Sequence, residues 1–142
     1  MAVGATFKND LAKLIFWGTP ITGIADNAAS SPYTVFWLAL HIASPTDAGN
    51  QGSNETSYTG YARVTIDRDS DGFSITNNII TLTATMTFPQ CTGGSATITH
   101  VSIGTSETGT GKLLMHGAIS PTIPVSSGVS PQLGTGSTIT LD

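Results

Sequence analysis

Charge is scarce in this sequence. Asp, Glu, Lys and Arg make up 10% of the chain, against roughly 25% in ordinary globular proteins. Only five residues are basic, Lys8, Lys13, Arg63, Arg68 and Lys112, and they are scattered. No basic stripe exists to neutralise a run of phosphates, so no nucleic-acid partner is expected. The carboxylates are too few to suggest a hydrolase cleft. Cys91 is the one cysteine, which excludes an internal disulfide and a multi-cysteine zinc site and leaves a small buried apolar residue. No apolar run approaches the ~18 residues of a membrane span. The opening stretch MAVGATFKNDLAKLIFWG is interrupted by Lys8, Asn9, Asp10 and Lys13, so it does not read as a signal peptide. A soluble protein made in the cytoplasm, with no membrane partner, is the expectation.

Thr, Ser and Gly supply most of the polarity instead, and they predict a neutral, hydroxyl-rich surface. A net charge of −4 gives little repulsion between copies, and low charge favours association. At 142 residues the chain can hide roughly 68–70% of its unfolded surface, enough for one domain over 1–142 without metal or disulfide.

Periodicity predicts one helix, over 6–18. Phe7, Leu11, Leu14 and Ile15 recur at helical spacing, Thr6 is placed to cap the start, and Gly18 with Pro20 stops it. Phe16 and Trp17 widen the apolar stripe, which either covers an opening of the β domain or meets a partner. Residues 19–32 read as a long connection. Tyr33 to Ala43, YTVFWLALHIA, is apolar on both faces and predicts a central strand.

The stretch 44–59, SPTDAGNQGSNETSYT, predicts a long surface loop, of a length that often marks a binding element and that a neighbour would order. Short strands follow. Ile80 to Phe88 alternates most clearly of all, with threonines on one face. Ala96 to Ile103 and Lys112 to Ala118 form two further strands joined by the Gly-rich loop 104–111. Pro121 and Pro124 mark an edge strand, and 137–141 is a final short strand. The class is all-β, a β-sandwich or jelly-roll-like barrel with one N-terminal helix.

Candidate chemistry is thin. Asp67, Asp69 and Asp71 before Gly72 resemble half of a calcium loop, but Asn78 stands where the bidentate carboxylate belongs, and Asp-Gly between apolar alternations reads first as a tight hairpin. His41, His100 and His116 lie in predicted strands without HExxH spacing, so they read as structural histidines. The loop 104–111 lacks P-loop spacing, and no GxSxG occurs. No catalytic residue, no cofactor and no enzymatic activity are expected.

The segments 38–64, LALHIASPTDAGNQGSNETSYTGYARV, 88–105, FPQCTGGSATITHVSIGT, and 112–120, KLLMHGAIS, resemble small proteins of tailed-phage structural modules. That family includes tail-fibre-like virion proteins, and β-rich capsid cement proteins are similar in size and proportion. The resemblance implies a virion structural protein. Its leading form is a capsid decoration protein that braces major capsid subunits; its alternative is a tail-fibre or baseplate-associated protein or carbohydrate-binding module, for which Tyr58 and Tyr61 are the one plausible sugar-stacking pair, although packing that anchors the long loop is the preferred reading of both. Self-pairing as a homodimer is expected. Phe16, Trp17, Asn50, Asn54, Tyr58 and Tyr61 are the candidate partner contacts.

Overall fold

The computed structural model describes residues 4–21, 25 and 32–140. Most of the expected 19–32 connection, and Leu141 of the last strand, fall outside the described residues. Antiparallel sheets dominate, with α1 (Ala5–Trp17) the single helix among the described residues. The all-β class with one N-terminal helix is therefore correct. The chain divides into two compact units, one of Met1–Thr34, Asp67–Thr85 and Leu133–Asp142, the other of Val35–Ile66 and Met86–Gln132.

In the first unit, Gly4 rather than Thr6 occupies the N-cap, with no side-chain cap, because helical hydrogen bonding already starts with Lys8 N–H to Gly4 O at 3.0 Å. Asp10 falls beyond the first turn, which holds no acid. Gly18 ends α1 in the left-handed conformation, φ 67°, a backbone state that glycine enters without a Cβ clash. The buried edge of the helix is Ala12 and Phe16, both fully inaccessible, while Phe7 of the expected stripe is 39% exposed. Phe16 meets Phe73 edge-on, with ring centroids 4.8 Å apart, and Trp17 Nε1–H donates to Phe73 O at 2.9 Å.

The last turn of α1 carries no basic residue of its own. A cation arrives from elsewhere in the unit: the Arg68 guanidinium donates to Ile15 O and Leu14 O, each at 2.6 Å. It thus satisfies carbonyls that the helix leaves orphaned and puts positive charge at the negative end of the dipole. Burial pushes the Arg68 pKa down from its ordinary value, but that value is high enough to keep the charge.

A sheet in this unit joins β3 (Phe73–Thr76), β4 (Ile79–Leu82) and β9 (Thr138–Thr140), in the order β3-β4-β9. The expected Asp-Gly hairpin is not one. The segment after β2 (Val64–Asp67) leads to a strand of a different sheet, and Asp69 Oδ1 accepts from Asp71 N–H at 2.8 Å to close a local turn. The hairpin lies at Asn77-Asn78, between the paired residues Thr76 and Ile79. Both asparagines take positive φ, 49° and 62°, as a two-residue type I′ turn requires.

The long alternating stretch 80–88 also divides. β4 stops at Leu82, where its partner β3 begins at Phe73, and Thr83 N–H turns back to Gly72 O at 3.1 Å. The exposed residues Thr83 to Thr85 separate β4 from β5 (Met86–Thr87), which pairs instead with β8 (Gln132–Leu133).

The second unit is built on the sheet β2-β1-β6-β7, with β1 at Val35–His41, β6 at Ser95–Gly104 and β7 at Leu113–Ser126. β1 is an interior strand, and its residues Leu38 to His41 are buried in succession, as expected for a strand covered on both faces. β6 and β7 form the expected hairpin across the Gly-rich loop. β7 runs on through Pro121 and Pro124 at the sheet edge, where a missing N–H breaks no ladder. Cys91 is buried and in no disulfide.

Candidate interaction surface

The loop 44–59 begins where β1 ends, and its turns are made by its own short polar side chains. Asn50 Oδ1 accepts from Gly52 N–H at 2.9 Å, and Ser53 Oγ accepts from Asn50 N–H at 3.1 Å. Asn54 holds φ 54°, which asparagine tolerates better than most residues. The loop then returns along β1, with Thr56 N–H to Leu40 O at 2.9 Å and Ile42 N–H to Asn54 O at 3.0 Å. A loop waiting for a neighbour to order it was expected. The described segment is instead stitched to its own sheet.

Gln51 is the main fastening and is completely buried. Its Nε2 donates to Trp37 O at 3.0 Å, its Oε1 accepts from Ser106 N–H at 3.0 Å, and its backbone N–H donates to Gly111 O at 3.0 Å. The side chain fits because Gly104 and Gly111 lack Cβ atoms: one at Gly104 would stand 2.1 Å from Gln51 Cδ, and one at Gly111 would stand 2.4 Å from Gln51 Oε1. The sequence at Gly104 and Gly111 thus creates a slot, and the glutamine fills it with its polar atoms paired.

Beside the slot, Arg63 and Glu55 form a bidentate pair, Nε to Oε1 and Nη2 to Oε2, each at 2.7 Å. The Arg63 side chain is 2% exposed and that of Glu55 18%. Arg63 also donates to Ser106 O at 2.8 Å and Gly109 O at 2.7 Å. One guanidinium therefore clamps loop 44–59 to loop 104–111. The hydrogen bonding of the guanidinium to the Glu55 carboxylate is the main cause that raises the Arg63 pKa. Tyr61 O–H donates to Glu55 Oε1 at 2.8 Å and accepts from Leu40 N–H at 3.0 Å, and burial pushes its pKa well up.

The histidines, far apart in sequence, come together on one sheet. His41 and His100 are cross-strand partners, and His116 stands opposite Ser102. His41 is fully buried, with Nδ1 2.9 Å from Ser53 O and Nε2 2.8 Å from Ser102 Oγ. The neutral tautomer that fits donates from Nδ1 to the carbonyl and accepts from the serine hydroxyl. Burial is the largest influence on His41 and lowers its pKa. His116 Nε2 lies 3.0 Å from Asp47 Oδ1, so it too touches the loop. Among the described residues, no three His, Cys, Asp or Glu side chains are placed to hold a metal ion.

Of the residues singled out from sequence, Asn50 and Asn54 lie on this loop, with Asn54 exposed and Asn50 partly so. Tyr58 and Tyr61 meet edge-on at 5.3 Å, but Tyr58 is only 6% exposed and donates its hydroxyl to Pro89 O. Burial raises the Tyr58 pKa to about 12. The pair anchors the loop and does not offer an open stacking platform. Phe16 and Trp17 belong to the first unit, where Phe16 is a fully buried residue rather than a free contact. Asp69 of the calcium candidates is engaged in its own turn. Gln51, Glu55 and Arg63 were missed; the available clue was an acid and a base eight positions apart in a chain with so few of either.

The second unit is thus a β scaffold that displays two loops braced from within. Among the described residues no helix is long and apolar enough to cross a membrane. A protein-family model described as podophage GP4 fiber I protein gp80 matches residues 20–140, and the chain belongs to that family. It is a phage virion structural protein of fibre-like type. No curated protein matches the chain.

Proposed function

We propose that this chain works in the tail-fibre apparatus of the particle, as a fibre component or as a protein that joins a fibre to its neighbours. The observation that carries this reading is the fibre-family match across residues 20–140. That match favours the tail over the capsid-decoration role that size and proportion suggested. The chain acts by buried contact rather than by catalysis, and its partners are other tail proteins and copies of itself.

The braced loops support the same reading. A contact surface already held in shape loses less entropy on binding than one that must be ordered. Exposed Asn54 and the turn at Asn50 to Ser53 present hydroxyl and amide groups. Carbohydrate capture by Tyr58 and Tyr61 forms no part of this proposal, because both hydroxyls are spent inside the unit.

Fractionation of disrupted particles tests the proposal. The chain is expected to sediment with detached tails and to be missing from stripped capsids. Recovery with capsids alone would overturn the tail assignment and restore the decoration role.

A further inference from the structure

One edge of β6 is interrupted. On its β7 side, β6 is paired from Ser95, opposite Ser126, to Gly104, opposite Leu113. On its β1 side, pairing runs only from His100 to Gly104, against His41 to Trp37. At the other end Thr59 forms a single bridge to Gly93. Between these points, among the described residues, no strand covers residues 94–98 on the β1 side.

A groove of about 400 Å³ occupies that gap, walled by Ile42, by Thr56 to Thr59 and by Gly93 to Thr97. None of these residues is charged. Ile42 stands on the rim at 51% exposure. The Thr56 hydroxyl is buried and has no hydrogen-bond partner, in a residue only 4% exposed.

We propose that the groove takes an extended, uncharged segment of another virion polypeptide, which adds as a short strand against Ser95 to Ile98. An open strand edge presents alternating N–H and C=O groups, and an extended backbone supplies the complementary series at the same repeat. The stretch of four residues is roughly 13 Å long at strand rise. Uncharged walls leave a charged guest side chain desolvated without a counter-ion, so the matching guest is neutral. Ile42 receives an apolar side chain of the guest. This inference rests on the chain assembling with other virion proteins, and it holds for a tail or a capsid neighbour alike.

Hydrogen exchange read by mass spectrometry on residues 93–99 tests it, comparing the free chain with the chain in purified particles. Amides of this stretch are expected to exchange at least roughly tenfold more slowly in particles; equal rates overturn the proposal. Ala96→Arg and Thr97→Arg, the latter at an exposed position, are expected to keep the wild-type Tm and to lose incorporation into particles. Wild-type incorporation of a folded variant overturns the proposal. So does slowing that appears when maltotriose is added to the free chain but is absent in particles, which would make the groove a saccharide site. Failure of these tests leaves the tail assignment intact, because fractionation reads location and not the groove.

Discussion

Arg63 and Glu55 carry an unusual share of the order in a chain with so little charge. A guanidinium with a side chain 2% exposed is tolerable only while every donor has a partner. Glu55→Ala leaves Arg63 with carbonyls alone and a buried uncompensated charge, so a loss of about 3 kcal/mol is expected in urea unfolding. His41 gives a pH signature. Its folded pKa lies below the unfolded value of about 6.5, so the unfolded chain binds a proton first. The contribution of His41 is complete above that value, is lost as pH falls through the window below it, and levels off only under the folded pKa. Stability compared at neutral and mildly acid pH should show this decline, and His41→Gln should flatten it.

The two loops behave as one element because a glutamine from one fills a gap between glycines of the other. Gly104→Ala would bring a methyl group 2.1 Å from Gln51 Cδ, an overpacking expected to cost about 1–3 kcal/mol. Adding Gln51→Ala should recover part of that loss, and a double-mutant cycle on unfolding free energies measures the coupling. Much at this scale was legible in the sequence. The helical spacing around Leu11 and Leu14, the apolar run of β1, and Pro121 and Pro124 on an edge strand are local signals. The rest depended on distant pairing. Nothing near Gln51 says that it will be buried, since its slot is made by Gly104 and Gly111 far along the chain. The alternation from Ile80 to Phe88 continued past the end of the partner strand, so periodicity alone ran two strands together.

At the scale of the whole chain, scarcity of charge and abundance of hydroxyls leave little electrostatic repulsion against association. The units keep their few strong electrostatic contacts inside, Arg63 with Glu55 in one and Arg68 at the end of α1 in the other. The outside carries few charges, mostly carboxylates such as Asp47, Asp67, Asp71 and Glu107, and a sparsely charged surface suits a protein held in place by many modest contacts. Immunogold labelling of intact particles with an antibody to this chain measures its place most directly. Gold is expected on the tail fibres or at their attachment, with the capsid shell bare; gold distributed over the capsid lattice would contradict a place in the tail.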